Sequence, residues 1–431
     1  GCFDILHRGH VAYLAQARSW CDRLVVALNT DASVKLLKGE GRPVNDLDSR
    51  AVVIGGLASV DRVTSFDDPT PVALIERLRP DVLIKGSDYT REGVVGGDLV
   101  ESWGGEVKLA DFKDGFSTTR MILVTGGAGF IGSNIVARLT AETAYDVVVC
   151  DRLETADLAK WKNVAKHAIA DFWSPEELFE QLERHAERIE AVVHMGAISS
   201  TTEPDADLIL RTNFTLSRDL WDWCTIRDVR MIYASSAATY GDGDAGFNDD
   251  DDAESLSKLR PLNAYGYSKM LFDQHAVRQS DRGQAPRQWA GLKFFNVYGP
   301  NEGHKGGMKS VVAQIWPKVE AGETVSLFRS HNPNFRDGGQ LRDFVYVDDV
   351  VDIIEFLLQS PEVSGIFNAG SGQARSFDDL AKATFAAAGK EASIQYVDMP
   401  EVIRDRYQYF TEARMDRIRA AGFEGQSTPL E

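Results

Sequence analysis

Met121-Ile122-Leu123-Val124-Thr125-Gly126-Gly127-Ala128-Gly129-Phe130-Ile131-Gly132 is an apolar, β-branched run that breaks into glycines and then opens a helical pattern. Strand, tight turn and helix in that order are the first unit of a parallel α/β sheet. Gly126, Gly129 and Gly132 let backbone approach a dinucleotide pyrophosphate at the helix N-terminus, although a tight strand-to-helix turn also calls for glycine by itself. The next β-branched run, residues 147–150, ends at Asp151, roughly 20 residues on, where an acid binds the adenosine ribose hydroxyls. Arg152 follows directly and Lys160 is close in sequence. These two cations either hold a ribose 2′-phosphate, which points to NADP with NAD left open, or are surface charge.

Outward from this unit the alternation continues. Strands are predicted at residues 191–194, 231–234 and 292–295 with helices between them, giving a doubly wound sheet of six or seven strands. Beyond residue 296 the pattern becomes irregular, with a Gly-, Asn- and Pro-containing stretch at 330–340, which predicts a smaller substrate lobe mainly from about residue 297 onward. Upstream, short strands at 24–28, 61–65, 82–84 and 107–109 form a separate α/β pattern. The expected boundary lies near residue 120, between a domain of residues 1–119 and one of residues 121–431.

The bulk properties narrow the function. A chain of 431 residues is long enough for two cores, and 43% apolar with 26% charged residues is ordinary for globular protein. A net charge of −18 argues against a nucleic-acid or anionic-membrane surface as partner and leaves room for a local basic pocket for phosphates. Cys2, Cys21, Cys150 and Cys224 are scattered, with no metal-ligand spacing, so no metal site is expected and reduced thiols in a cytoplasmic protein fit. No apolar run is long enough to span a membrane and no leader pattern precedes the first motif. The acidic run 242–254 reads as a solvated loop.

In the first domain, Gly1-Cys2-Phe3-Asp4-Ile5-Leu6-His7-Arg8-Gly9-His10 sets two imidazoles ahead of an apolar helix pattern, where they can donate to charge developing on a phosphate. With Lys38 to Asn45 (KGEGRPVN), Lys85 to Tyr89 (KGSDY) and Asp114 to Thr119 (DGFSTT), the stretch resembles the nucleotidyltransferase superfamily, in its bacterial heptose-1-phosphate adenylyltransferase branch. The resemblance implies a Rossmann-like fold, His7 and His10 at the transferring phosphoryl group, Ser117 and Thr118 on the outgoing phosphates, Lys85 toward the triphosphate, and ATP with Mg²⁺. Read as residues alone, Lys85 is equally a strand-end lysine, and Ser117 and Thr118 a helix cap. The family's strand before the glycine and its helix after the Ser-Thr-Thr run do not fall within residues 1–119, so an inactive remnant is the alternative.

In the second domain, Asn263-Ala264-Tyr265-Gly266-Tyr267-Ser268-Lys269 starts a helix, which puts Tyr265 and Lys269 one turn apart on one face. A lysine there can depress the tyrosine and hold the nicotinamide ribose, leaving Tyr265 to move a proton, with Ser236 at the end of the strand 231–234 beside the substrate alcohol. These marks resemble the extended, nucleotide-sugar branch of the short-chain dehydrogenase superfamily. Where dehydratases of that branch carry an acidic pair, this chain has Ala237-Ala238, which cannot catalyse elimination and leaves oxidation and re-reduction. Further motifs, Ser199 to Thr202 (SSTT), Phe295 to Lys305 (FNVYGPNEGHK) and Arg342 to Tyr346 (RDFVY), resemble the ADP-glycero-manno-heptose 6-epimerases.

That resemblance implies Tyr265 and Lys305 as proton donors on opposite faces, with Lys269 positioning. It also implies that Phe130, Ile131, Asp151, Arg152, Lys160, Asn213 and Val297 line the cofactor and that Asn296, Phe328, Arg342 and Tyr407 contact the ADP-sugar. The partners it implies are small molecules (ADP-heptose, heptose 1-phosphate and ATP) and a second copy of the chain in a homo-oligomer. On residues alone, Arg342 either reaches a diphosphate or pairs with Asp343. The alternatives are a 4-epimerase of another nucleotide sugar and a non-catalytic NADP-sensing regulator.

Overall fold

A computed structural model describes residues 1–4, 6, 8–38, 42–68, 70–86, 91–110, 120–141, 145–153, 160–404 and 407–430. The chain divides into two compact units at Arg120/Met121, with the segment Leu182–Arg188 grouped with the first.

The first unit carries a helix Arg8–Arg18 and strands β1 (Val25–Asn29), β2 (Arg62–Phe66), β3 (Val82–Gly86) and β4 (Glu106–Ala110). They pair in parallel as β1–β2 and β3–β4. Gly1 extends the ladder on β1: its amine donates to the Ala27 carbonyl at 2.6 Å and its carbonyl accepts from the Asn29 amide at 3.2 Å. Leu14, Ala17, Leu24, Val26, Leu28 and Ile54 form a small core there.

The second unit is built on one sheet of seven strands. Its members are β5 (Arg120–Thr125), β6 (Tyr145–Cys150), β7 (Asp171–Trp173), β8 (Ile189–His194), β9 (Arg230–Ser236), β10 (Trp289–Phe294) and, much later, β14 (Gly365–Ala369), in the spatial order β14-β10-β9-β8-β5-β6-β7. Residues 120–124 are therefore the first strand of the second sheet. The chain runs outward through β6 and β7, returns to β8 on the other side of β5, and proceeds through β9 and β10. The order reverses between β5 and β8, and a doubly wound sheet opens its ligand crevice at such a reversal, beyond the carboxyl ends of the strands. Ile122, Leu123, Val124, Ala191, Val192, Val193, Met231 and Ile232 are fully buried, as strands covered by helices on both faces must be.

The remaining strands, β11 (Asn296–Tyr298), β12 (Val325–Phe328), β13 (Leu341–Tyr346), β15 (Ala374–Ser376) and β16 (Ile394–Val397), make a three-stranded sheet β11-β13-β15 and a pair β12–β16. The pair packs on helices Val311–Ala321 and Phe377–Ala387 through Ile315, Val319, Leu327 and Phe385. The chain beyond residue 297 is thus not one continuous lobe. It interrupts itself with the helix Val347–Gln359, whose Val350, Val351, Ile354 and Leu357 are buried, and with β14, which adds the seventh strand to the main sheet.

Among the described residues no helix is long and apolar enough to cross a membrane, and no three His, Cys, Asp or Glu side chains are grouped to hold a metal ion.

Candidate functional site

The glycine turn sits at the carboxyl end of β5, at the reversal. Gly126 has φ +65°, and a Cβ added to Gly132 would lie 2.2 Å from the Gly126 carbonyl oxygen. The helix Phe130–Ala141 can start so close to the strand because that carbon is missing. Asp151, at the end of β6, is nearly buried; its Oδ2 accepts from the Ala128 amide of the turn at 2.9 Å, and its Oδ1 from the Arg152 amide at 2.7 Å and from Lys160 Nζ at 2.6 Å. Arg152 turns outward to Glu176 at 2.5 Å, with its side chain largely exposed. A turn stripped of side chains, a helix N-terminus and an acid tied to the turn suit a dinucleotide diphosphate and its adenosine ribose.

Ser236 ends β9, and its Oγ accepts from the Ala238 amide at 3.1 Å. The helix Ala264–Asp281 is capped by Asn263, whose side chain accepts from the Gly266 amide at 2.8 Å. A Cβ on Gly266 would lie 2.6 Å from the Ala238 carbonyl oxygen, so the helix start presses directly on the turn that follows Ser236. This contact brings the Tyr265 side chain close enough to Ser236 for the serine hydroxyl to favour the phenolate. Lys269, one turn on, is buried.

Burial lifts the Tyr265 hydroxyl above its ordinary value, with the Ser236 hydrogen bond acting the other way. Burial also brings the Lys269 ammonium down to about 8 against the charge of Asp273, which raises it. The expected lysine-depressed tyrosine is therefore not what these residues produce by themselves: desolvation of the phenolate outweighs its favourable neighbours. His194, at the end of β8, is held between Thr125 Oγ1 at 2.6 Å and Ser217 Oγ at 2.9 Å, and burial, then Lys269, pushes it down to about 3.

Asn213 lies in a π-helical turn, Leu210–Thr215, and is fully buried. Its amide accepts from the Ile198 amide at 2.8 Å and donates to the Ile198 carbonyl at 3.0 Å and to Ser268 Oγ at 3.1 Å, and Ser268 in turn donates to the Tyr265 carbonyl at 2.7 Å. These contacts fix Asn213 in the wall behind Tyr265.

Residues 300–305 fold over the glycine turn as a strap. Asn301 donates to Ser133 Oγ at 3.0 Å, Asn134 donates to the Pro300 carbonyl at 3.2 Å, and Asn163 donates to the carbonyls of Ala128 at 2.9 Å and Asn301 at 3.3 Å. Lys305 Nζ sits 5.0 Å from the Phe130 ring centroid and 4.0 Å from Glu302 Oε2. The Glu302 carboxylate is buried and fixed by Ser310, from the amide at 2.5 Å and the hydroxyl at 2.6 Å. Burial lowers the Lys305 ammonium and Glu302 opposes that. Phe130 and Lys305 are thus brought together, with Ile131 next to Phe130 in the helix; Asn296 and Val297 lie on β11, just ahead of the strap.

In the later strands, Arg342 stacks 5.2 Å from the Tyr407 ring and 5.7 Å from Phe377, and donates to the carbonyls of Leu341 at 2.8 Å and of Gln408. The pairing of Arg342 with Asp343 does not form. Asp343 faces the other side of β13 and spends its carboxylate on the amides of Ser371 at 2.6 Å, Gly372 at 3.0 Å and Ala413 at 2.8 Å. Phe328 closes β12, a half-buried position.

In the first unit, Asp4 accepts from Arg42 at 2.8 Å and from the Val44 amide at 2.7 Å, joining the first two motifs. His10 lies on the first helix, 5.1 Å from the Phe3 ring, and Lys85 lies on β3 opposite Leu109. His7, Ser117 and Thr118 lie outside the described residues.

Two residues that sequence reading passed over lie under this site. Asp273 and Lys293 are both fully buried and pair at 2.9 Å. Lys293 was signalled only by being a lone cation in an apolar strand, and Asp273 by following Lys269 at helical spacing.

Residues 1–120 match the cytidylyltransferase-like family and residues 122–370 the NAD dependent epimerase/dehydratase family. An ADP-L-glycero-D-manno-heptose-6-epimerase of Fusobacterium nucleatum is 47% identical over 319 residues, covering 72% of this chain and 95% of that protein. One of Nitratidesulfovibrio vulgaris is 48% identical over 314 residues, covering 72% and 94%. Among solved structures, the Helicobacter pylori ADP-L-glycero-D-manno-heptose-6-epimerase superposes with a TM-score of 0.57 at 28% identity over 70% of this chain and 89% of that one. The Thermus thermophilus UDP-glucose 4-epimerase complex with NAD gives 0.55 at 29% over 70% and 93%. The chain carries a cytidylyltransferase-like unit at its start and, from the glycine turn onward, belongs to the NAD dependent epimerase/dehydratase family.

Proposed function

We propose that residues 121–431 convert ADP-D-glycero-β-D-manno-heptose to its L-glycero epimer at C6 by oxidation and re-reduction with a retained NADP. Residues 1–119 would perform the preceding adenylyl transfer from ATP to heptose 1-phosphate, assisted by Mg²⁺, and the product would serve lipopolysaccharide core synthesis. The observation that carries the epimerase reading is a pair of proton-bearing groups held by independent structures at the carboxyl edge of one sheet: Tyr265 against Ser236, and Lys305 over Phe130. Inversion requires a donor for each face, and a simple dehydrogenase needs only one. The curated relatives, close to half identical along nearly their whole length, supply the substrate.

A nicotinamide dinucleotide in the glycine turn supplies the hydride acceptor and donor. Tyr265, steadied by Ser236, exchanges the proton of the substrate oxygen on one face, and Lys305 serves the other. Lys269 holds positive charge beside Tyr265. Asp151 and Lys160, with Arg152 released from Glu176, would receive the adenosine ribose and a 2′-phosphate. Arg342, already stacked on Tyr407, would take the diphosphate of the sugar nucleotide, with Asn296 and Phe328 beside it. The active form is a homo-oligomer.

The test is a ³¹P and ¹H NMR time course of the full chain with ATP, Mg²⁺ and D-glycero-β-D-manno-heptose 1-phosphate. Appearance of ADP-L-glycero-manno-heptose supports both activities. Unchanged heptose phosphate, together with conversion of added ADP-D-glycero-manno-heptose, restricts the function to the epimerase. The Thermus thermophilus neighbour favours one competing reading, a 4-epimerase; turnover of UDP-glucose but not of ADP-heptose would select it.

A further inference from the structure

Asp273 lies one helical turn beyond Lys269 and two beyond Tyr265, on the same face of the helix Ala264–Asp281. Its Oδ2 accepts from Ser235 Oγ at 2.7 Å and from Lys293 Nζ at 2.9 Å, and its Oδ1 from the Tyr233 hydroxyl at 3.1 Å. Lys293 also donates to Thr239 Oγ1 at 2.7 Å and lies 4.8 Å from the Tyr240 ring centroid. Thr239 donates in turn to the Ser236 carbonyl at 2.8 Å. Ser236 is bracketed: the residue before it is bonded to Asp273, and its own carbonyl is reached from Lys293 through Thr239.

A fully buried ion pair gains little net stability over apolar residues of the same size, because desolvating both charges offsets their attraction. Its position under the site gives it another use. We propose that Asp273 is a positioning residue for the proton-transfer dyad. Its carboxylate, paired with Lys293 and gripped by Ser235 and Tyr233, locks the Ser236 turn to the helix of Tyr265 and Lys269 and sets a negative charge one turn from Lys269. The proposal rests on the reading of Tyr265 and Lys269 given above. The titratable groups around Lys269 are Asp273 and Tyr265 on its own helix, the neutral His194 of β8 and, on the far side of the Asp273 carboxylate, Lys293 of β10, so Asp273 is its one anion among the described residues. Burial already brings Lys269 down to about 8 with Asp273 in place. Without that charge the ammonium titrates lower still, and the alkaline limb of turnover moves to lower pH.

The experiment compares kcat–pH and KM profiles of the dinucleotide-loaded full chain, its D273N/K293M variant and Y265F, with ADP-heptose as substrate and circular-dichroism melts alongside. In D273N/K293M both charges go together, which buried pairs tolerate better than the loss of one. The expected result is kcat lower by about 10- to 100-fold, KM unchanged, and the alkaline limb lower by about one pH unit or more. A limb at the parent's pH overturns the proposal, whatever the melting temperature. Should the charge variant not fold, T239V removes only the hydroxyl between Lys293 and Ser236: kcat down by about tenfold with KM unchanged supports the bracket, and parental kcat overturns it. If Y265F turns over normally, the dyad reading falls and this proposal with it. If Y265F is inactive while the limb of D273N/K293M stays, only the proposal falls.

Discussion

Among the described residues the two units order their parallel strands differently. In the second, seven strands run in one ladder and all six residues of β10 are buried. In the first, the four described strands stop at two pairs; β3 is half-buried along most of its length, and Leu36 and Val52 are 89% and 75% exposed. A strand gains most from neighbours on both sides and cover on both faces, and small sheets with open edges are marginal. Ser236, Tyr265 and Lys269, the residues proposed for proton transfer, stand on the seven-stranded sheet and the helix pressed against it. Rigid scaffolding and local stability go together.

The largest effect separates chemistry from scaffold. Tyr265→Phe should lower epimerisation by about 10²–10⁴-fold, equivalent to about 3–5 kcal/mol of transition-state stabilisation, with the second unit's melting temperature unchanged by calorimetry. Turnover within tenfold of the parent would remove Tyr265 from the site. Next, Leu28→Ala in the small core should cost the first unit about 2–5 kcal/mol, abolishing its own melting transition while a dinucleotide-dependent transition of the second unit keeps its midpoint. Equal shifts in both transitions would show that the units unfold together and break the contrast.

A smaller effect follows pH. His194 titrates near 3 when folded and near 6.5 when unfolded, so the unfolded chain binds the extra proton between those values. Its contribution is present above 6.5 and is lost as pH falls from 6.5 toward 3, by at most about 1.4 kcal/mol per unit. Urea melts of parent and His194→Gln should show that slope in the second unit's transition of the parent only; identical slopes would remove His194 from the account. The smallest effect is Leu36→Ser, which should change stability by no more than about 0.5 kcal/mol, because the exposed side chain loses almost nothing; a larger loss by the same melts would mean that Leu36 is covered in solution.

What could be read from the sequence was what is local. The glycine turn declares itself because the period changes there, and Tyr265 with Lys269 because four residues along a helix is one turn. The doubly wound architecture, expected with six or seven strands, followed from the alternation of β5, β6, β8, β9 and β10 with helices. The strand β14 did not, because five residues after a long excursion carry no mark of which sheet edge they will join. Asp343 showed only its neighbour Arg342, whereas its partners come from residues 371, 372 and 413. Asn163, Glu302 and Asp273 share that reason: each matters through contacts with another segment, which no window of sequence contains.

The buried pair of Asp273 and Lys293 also bears on how the main sheet finds its alignment. β9 and β10 are buried along nearly their whole length on both sides, so they lack the alternation of buried and exposed residues that ordinarily forbids a slip. Lys293 stands opposite Ser235, and both bond the same carboxylate. A shift by one residue would carry the ammonium to the other face of the sheet and strand two charges in hydrocarbon, a penalty of several kcal/mol. One salt bridge thereby serves as an index mark during folding, recording in a stretch of otherwise interchangeable side chains which rung of the ladder belongs to which.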